Sequence, residues 1–231
     1  MGILLRKIKI VWSSNFAYAI GLIASDGNLN KDGRHIEFAS KDIELIENFK
    51  KALLIDNKIT KHARGGEIDK RYFTVKFGDK VFYKYLNQIG LTAAKSRTIK
   101  SVEVPVAFFG DFLRGLFDGD GTFYVFKDKR WPNSFGYKTS FASASPDFIC
   151  WLKNKTTDVY GVKGYLHKGK GVTNLDYTKG DSRKLFEAMY GRPNQLFFSK
   201  KYHKIKAALD QDETRGLIYL QKQRKAAVAQ W

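Results

Sequence analysis

The chain has 231 residues, of which 43% are apolar, so it can bury a core and is not a disordered chain. Lys and Arg number 41 against 23 Asp and Glu, and the resulting net charge of +18 predicts a polyanionic partner. No apolar stretch approaches the length of a membrane span, so we expect no membrane partner, and the single cysteine, Cys150, excludes an internal disulfide.

The positive charge is divided evenly along the chain. Residues 1–104 contain 19 basic and 11 acidic residues, and residues 105–231 contain 22 and 12, which indicates one broad surface spanning both halves. Residues 1–10 lack the apolar run and the cleavage site of a secretory signal. The lone cysteine fits a reducing compartment. We therefore expect an intracellular protein, cytoplasmic or organellar and not secreted.

The first half of the chain predicts a helix, two strands, a helix, two strands and a closing helix. Residues 16–28, "FAYAIGLIASDGN", form the first predicted helix and end in an Asp-Gly pair. Residues 34–53 form a strand that leads into a helix. Two runs, 57–65 and 70–78, have the pattern of strands and are separated by a glycine-containing turn. Residues 79–90 are the closing helix, opened by aspartate and ended by glycine, the expected caps.

The second half repeats this order. In residues 110–122, "GDFLRGLFDGDGT", Gly115 aligns with Gly21 and Asp120 with Asp26, an offset of 94 residues. The elements that follow are a strand and helix over 137–156, strands at 162–169 and 172–180, and a helix over 181–191. The predicted domain boundaries are residues 1–90 for the first half-domain, 91–104 for a linker, 105–208 for the second half-domain and 209–231 for a C-terminal helix or tail.

A glycine stands five residues before the final aspartate of each repeated motif. Glycine in the middle of a helix costs roughly 1 kcal/mol relative to alanine, so Gly21 and Gly115 indicate two helices that approach closely. Their C-terminal ends would then lie side by side and bring Asp26 and Asp120 together at a pseudo-twofold axis. Two carboxylates placed there repel each other, which predicts a divalent cation between them. Beside a basic surface, such a site predicts phosphodiester hydrolysis.

The motifs "AIGLIASDG" (19–27) and "FLRGLFDGDG" (112–121), with the repeated αββαββα pattern over about residues 14–208, resemble the LAGLIDADG homing endonucleases in their single-chain form. The resemblance implies an α+β fold of two half-domains related by a pseudo-twofold axis. The motif helices would pack at the interface, and two antiparallel sheets would form a saddle on double-stranded DNA.

The resemblance also implies an enzymatic activity. The chain would be an intron-encoded, Mg²⁺-dependent endodeoxyribonuclease that makes double-strand breaks with short 3′ overhangs. Its target would be long and either pseudo-palindromic or asymmetric. Mn²⁺ would substitute for Mg²⁺, and Ca²⁺ would support binding without cleavage. We expect a monomer.

The resemblance implies roles for individual residues of the two motifs. Asp26 and Asp120 are the expected catalytic acids and metal ligands, with the backbone carbonyls of Ser25 and Gly119 nearby. Asp118, which is alanine at the equivalent position of the first motif, is expected to be structural rather than catalytic.

A second group of expected residues follows the closing helices and the second strand of each half. Lys95 and Lys201 stand where the family places a catalytic basic residue near the scissile phosphates, and Lys200 is an equal rival of Lys201. Ser40 and Lys41, with Ser143, end a strand where a residue that holds water is common.

Alternation along the strands predicts which side chains face DNA, because successive residues point to opposite faces of a sheet. Residues such as Val75, Phe141, Leu166 and Leu175 would point into the core. The opposite face mixes hydrogen-bond donors and acceptors, which suits the base edges of the major groove, although it also suits a merely solvated sheet. The expected DNA-binding residues are His35, Ser40, Lys41, Thr60, His62, Arg64, Tyr72, Thr74, Lys76, Lys138, Ser140, Tyr165, His167, Asn174 and Asp176.

Three functional classes fit the sequence. The first is an active site-specific endonuclease, and the second is an intron-encoded RNA maturase of the same fold, whose partner would be the host intron RNA. The third is a non-catalytic DNA-binding module. Both motif acids are intact, which favours the first class. The four histidines lack zinc-ligand spacing and cysteine partners.

Overall fold

The structure is a computed structural model that describes residues 8–63, 71–127 and 135–228. The predicted contact of Arg64 with DNA lies outside the described residues. No described helix is long and apolar enough to cross a membrane.

Each half contains the same series of elements. The first half runs α1 (Ser14–Asp26), β1 (Gly27–Leu29), β2 (His35–Ser40), α2 (Ile43–Leu53), β3 (Ile59–His62), β4 (Tyr72–Gly78) and α3 (Lys80–Gln88). The second half runs α4 (Phe109–Asp120), β5 (Thr122–Lys127), β6 (Phe135–Ser143), α5 (Pro146–Tyr160), β7 (Tyr165–Lys168), β8 (Thr173–Tyr177) and α6 (Lys179–Tyr190). A final helix, α7 (Ser199–Val228), crosses the expected boundary at residue 208 without a break.

The strands form two antiparallel sheets of equivalent topology. Their orders are β1-β2-β4-β3 and β5-β6-β8-β7. Within the first sheet Phe38 pairs with Val75, and within the second Phe141 pairs with Leu175. These four side chains are buried on the helix-covered face of their sheets. The predicted α+β architecture of two repeats is confirmed.

The motif helices α1 and α4 meet backbone to backbone. A Cβ atom on Gly21 would lie 2.1 Å from the Phe112 carbonyl oxygen, and one on Gly115 would lie 2.1 Å from the Tyr18 carbonyl oxygen. Neither position can hold a side chain without moving a backbone. The mid-helix glycines therefore permit the close approach that the sequence predicts.

A buried ion pair holds the N-terminal ends of the same two helices. The Arg114 guanidinium is fully buried and donates to Asp111 Oδ1 at 2.8 Å and to the Met189 carbonyl at 2.8 Å. Its Nε donates to the Leu196 carbonyl at 2.9 Å, and the Ser14 hydroxyl donates to Asp111 Oδ1 at 2.7 Å. Since these charges are paired and hydrogen-bonded, they link α1, α4 and the segment that follows α6.

The predicted helix caps are present in α3 and shifted in α6. The Asp79 carboxylate accepts from the Phe82 amide at 2.9 Å, and Gly90 has a left-handed φ of 102°. Helix α6 begins at Lys179 because Thr178 takes the N-cap position with extended backbone. Asp181, the predicted start of this helix, lies in its first turn instead.

We predict that Gly21→Ala lowers the free energy of unfolding by about 2–3 kcal/mol, because the added methyl group overpacks a backbone contact. Gly180→Ala is the matched control, since nothing lies within 4 Å of its Cβ position in α6. The control should be as stable as the parent or slightly more stable. Urea unfolding of the three proteins gives the comparison. Equal stability of the two variants would show that α1 and α4 do not pack at this distance.

Candidate active site and nucleic-acid surface

The C-terminal ends of α1 and α4 bring the two motif acids together. A Cβ atom built on Gly119 would lie 2.0 Å from Ser25 Oγ and 2.9 Å from Asp26 Oδ2, so the first motif crosses directly over the second. The Asp26 side chain is half-buried and that of Asp120 is exposed. The structure thus gathers at one point the four residues predicted to surround a metal ion.

Lys95 is buried beside the end of α1. Its ammonium donates to the carbonyl oxygen of Gly27 at 2.5 Å. Burial lowers the pKa of Lys95 to about 8, while the nearby carboxylates of Asp26 and Asp120 act to raise it. The lysine therefore caps a helix end, where a cation is favoured, and remains next to both acids.

Lys201 has the equivalent place at the end of α4. Its ammonium donates to the carbonyl oxygens of Phe117 at 2.7 Å and Gly119 at 2.8 Å. Burial lowers the pKa of Lys201, while surrounding carboxylates, including Asp120, act to raise it. Lys200 is exposed. Of the two rival lysines, the structure places Lys201 in the site.

The pKa of Asp120 is raised because surrounding protein displaces part of the water from its carboxylate, although the residue as a whole is exposed. Lys201 and Lys95 oppose that shift through their positive charge. Two carboxylates and two ammonium groups thus form one compact cluster at the junction of the half-domains.

The donor set fits a hard divalent cation. Among the described residues, no three His, Cys, Asp or Glu side chains form a group that could hold a metal ion. Mg²⁺ is usually bound through one or two carboxylates together with substrate phosphates and water. The two motif aspartates offer such a pair, and the adjacent carbonyl oxygens of Gly27 and Gly119 accept from Lys95 and Lys201.

Asp118 lies in the core and serves a structural purpose. Its carboxylate accepts from the hydroxyl groups of Tyr18 at 2.9 Å and Tyr190 at 2.6 Å, and from the Phe198 amide at 2.7 Å. Burial raises the pKa of Asp118 to about 6, and these hydrogen bonds act to lower it. The carboxylate ties α1, α4 and α6 to the residue that precedes α7.

Two clefts of different chemistry flank the acids. One of about 290 Å³ is lined by Asp26 and Lys95 together with Asn28, Glu37 and His62. The other, of about 320 Å³, is lined around Asp120 chiefly by small and apolar side chains. The two halves therefore present unlike surroundings to a bound substrate.

In the first sheet most of the predicted DNA-facing residues lie on the face opposite the core. Thr60 and Lys76 are exposed, whereas His62 and Tyr72 are half-buried. Thr74 lies on the predicted face but is buried, because neighbouring strands cover it and its hydroxyl pairs with His62 Nδ1 at 2.7 Å.

His35 and Lys41 lie at the two ends of β2. The His35 ring pairs with Asp32 at 2.5 Å, and the Lys41 ammonium lies 5.1 Å from the ring centre of Tyr72. Both side chains can still reach a ligand on this face, since His35 is half-buried and Lys41 is exposed.

In the second sheet the predicted face is divided between exposed and covered residues. The exposed fraction of Tyr165 is 60%, and the His167 side chain is also exposed. Asn174 is half-buried opposite His167. Ser140 and Asp176, which pair across β6 and β8, are both buried.

Asp176 is held by its neighbours on this face. Lys138 donates to Asp176 Oδ2 at 2.5 Å, and His167 Nδ1 lies 3.7 Å from the same oxygen. Leu166, predicted to point into the core, is 37% exposed on β7, the edge strand of its sheet.

The two serines at the position where a residue that holds water is common accept hydrogen bonds from the turns that follow them. Ser40 Oγ accepts from the Asp42 amide, and Ser143 Oγ accepts from the Ser145 amide, each at 3.1 Å. Their positions are equivalent in the two repeats, one before α2 and the other before α5. The short strand-to-helix turn requires these hydroxyl groups as acceptors.

Residues missed by the sequence prediction lie on the same two faces. Glu37 and Asn28 pair across β1 and β2 in the first sheet, and Tyr124 and Phe126 are exposed on β5 in the second. Alternation along β2 predicts Glu37 on the face opposite the core, because the next residue, Phe38, is apolar. The same argument placed Ser140 beside Phe141.

A model of the LAGLIDADG-like domain family matches residues 13–90 and 110–191, one match in each half of the chain. The chain belongs to the LAGLIDADG-like family. No protein in the curated set matches it.

Solved structures of this family share the fold at low sequence identity. The LAGLIDADG meganuclease I-AabMI, bound to uncleaved DNA, is 15% identical with a TM-score of 0.59, over 87% of this chain and 92% of that one. Full-length DUF199/WhiA from Thermotoga maritima is 16% identical with a TM-score of 0.56, over 94% and 70%. I-DmoI in complex with DNA and Mn is 17% identical with a TM-score of 0.50, over 78% and 97%.

The buried amine of this LAGLIDADG-like protein predicts a pH-dependent stability. Folded Lys95 loses its proton near pH 8 and the unfolded chain keeps it up to about 10.5, so the unfolded state binds more protons between these values. The free energy of unfolding should therefore rise with pH in this window, by up to about 3 kcal/mol relative to Lys95→Met.

Urea unfolding from pH 7 to pH 10.5 measures this difference. Lys100→Met, which removes an exposed lysine from the same segment, is the control and should follow the parent. Parallel pH curves for the parent and Lys95→Met would contradict the burial of a titrating amine.

Proposed function

We propose that the protein is a site-specific, metal-dependent DNA endonuclease that cuts both strands of its target and leaves short 3′ overhangs. The observation that carries this proposal is the crossing of the two motif ends, which places Asp26 and Asp120 together beside the buried Lys95 and the half-buried Lys201. The net charge of +18 supports a polyanionic substrate.

Each group of the cluster has a distinct part in this proposal. Asp26 and Asp120 would hold Mg²⁺ or Mn²⁺, with the backbone carbonyls of Ser25 and Gly119 as further oxygen ligands, the second of which also accepts from Lys201. A bound ion would lower the pKa of an attacking water and neutralise charge on the scissile phosphate. Lys95 and Lys201 place positive charge next to the acids, where it stabilises the negative charge that develops on a phosphate during hydrolysis.

The two polar sheet faces would bind the DNA on either side of the acids. Phosphate contacts by lysines would fix the position of the duplex, and the mixed polar side chains would read base edges. The similarity of fold to the DNA-bound I-AabMI meganuclease supports this arrangement. The protein would act as a monomer, since the chain itself supplies both halves of the site.

We predict that Asp26→Asn and Asp120→Asn each lower the cleavage rate at least about 100-fold. Replacing a residue that only hydrogen-bonds to a metal ligand already lowers metal affinity or activity about 10- to 100-fold. DNA affinity should stay within about tenfold, or 1.4 kcal/mol. Asp147→Asn, an exposed aspartate on α5, is the matched control.

The assay uses a target selected from a randomised DNA library, with Mg²⁺, Mn²⁺, Ca²⁺ or EDTA. Ca²⁺ should support binding but not cleavage. Efficient cutting in EDTA, or parental rates in either variant, would refute this mechanism. Binding to the target without cleavage by the parent protein would favour the DNA-binding module, and clearly tighter binding to a folded intron RNA would favour the maturase.

We predict a local loss of sequence preference for Asn174→Ala. The residue lies on the open face of the second sheet, where an amide can pair with a base edge. Preference should relax at one or two positions of one half-site, at a cost of about 1–3 kcal/mol against the parent target. Asn154→Ala, exposed on α5, is the control. A uniform loss over all sequences would indicate a phosphate contact instead.

A further inference from the structure

The segment that carries Lys201 is held by the first half-domain. The backbone amide of Ser199 donates to Glu44 Oε1 at 3.0 Å, and the Ser199 hydroxyl donates to the same oxygen at 2.5 Å. The side-chain amide of Asn48 donates to the backbone carbonyl of Phe197 at 2.8 Å. Glu44 and Asn48 both belong to α2, while Lys201 caps the motif helix of the second half.

The segment that carries Lys95 is held in turn by the second half-domain. The Ser145 hydroxyl, at the N-cap of α5, donates to the Ile99 carbonyl. The Ile99 amide closes the short helical turn by donating to the Lys95 carbonyl at 2.8 Å. Because α2 and α5 are equivalent in the repeat, each half uses the same helix to hold the lysine segment of the other half.

The contact at Glu44 stabilises the first turn of α7. The first amide groups of a helix have no partner within the helix, and a negative charge is favoured there. Glu44 supplies both the acceptor and the charge at Ser199, the first residue of α7. Lys201 lies two residues further, so a frayed first turn would release its ammonium from the carbonyls of Phe117 and Gly119.

We propose that Glu44 positions Lys201 for the cleavage of one DNA strand, and that Ser145 positions Lys95 for the cleavage of the other. The inference rests on the proposed endonuclease function. Glu44 and Ser145 bind the segments that carry the two lysines, so each acts through a lysine and is a positioning residue. Correct docking of the two halves would then be a condition for cutting both strands.

The test measures the cleavage of each strand separately, on a selected duplex with a different label on each strand. Lys201→Met and Lys95→Met first define which strand depends on which lysine. Glu44→Ala should slow the Lys201-dependent strand about five- to thirtyfold, the range expected for a lost helix cap, and nicked duplex should accumulate. Ser145→Ala should slow the Lys95-dependent strand in the same way.

Two further variants separate positioning from general damage. Glu47→Ala removes an exposed carboxylate from the same helix. This variant should cut both strands at the parental rate. Glu44→Gln keeps an acceptor oxygen for the Ser199 amide and should restore most of the rate. Equal slowing of both strands by Glu44→Ala, or no slowing, would overturn the proposal.

Amide hydrogen exchange over residues 196–201 tests the contact without any cleavage. Exchange at Ser199 should be faster in Glu44→Ala than in the parent, and unchanged in Glu47→Ala. If the parent cuts no DNA, the endonuclease function fails, and with it the strand assignment. Unchanged exchange in Glu44→Ala would overturn the positioning role by itself.

Discussion

The backbone contact between Gly21 and Gly115 is the constraint on which the candidate site depends. Because no side chain separates α1 from α4, the last turns of the two helices lie close enough for Ser25 and Asp26 to touch Gly119. A larger separation would leave each acid at an independent helix end. The cost of a glycine inside each helix is thus offset by the formation of one shared site.

The charges of the site follow from this contact. Helix C-termini favour cations, yet each motif helix ends in a carboxylate. Lys95 and Lys201 resolve the conflict, because each binds carbonyl oxygens at a helix end and faces both acids. Burial lowers the pKa of each lysine, and the two acids act to raise it. A bound cation and phosphate would enter a cluster whose own charges nearly cancel.

The sequence predicted the two-repeat fold and the close approach of the motif ends, but not which parts of the two sheet faces are covered. Repetition of the glycine and aspartate positions predicts the motif helices and their contact. Strand alternation places Thr74 and Ser140 on the sheet face opposite the core but cannot show that their neighbours bury them. Ser40 and Ser143 each accept a backbone amide in the turn that follows their strand, a local contact that strand alternation does not predict.

The choice between Lys200 and Lys201 also lay beyond the sequence. It depends on where α7 begins, and the first residue of that helix, Ser199, donates to Glu44, which is 155 residues away along the chain. Long-range contacts of this kind leave no local pattern. Asp118 adds a second such contact at the Phe198 amide, 80 residues away.

The two halves share a backbone but differ in what they offer a ligand. Glu37 pairs with Lys76 across the first sheet, and the equivalent pair in the second is Ser140 with Asp176. The sign of the charge at one position is therefore reversed between the halves. Exposed aromatic rings of Tyr124, Phe126 and Tyr165 are found on the second sheet. Under the proposed function, identical half-sites would meet unlike donors and acceptors, which favours an asymmetric target over a palindromic one.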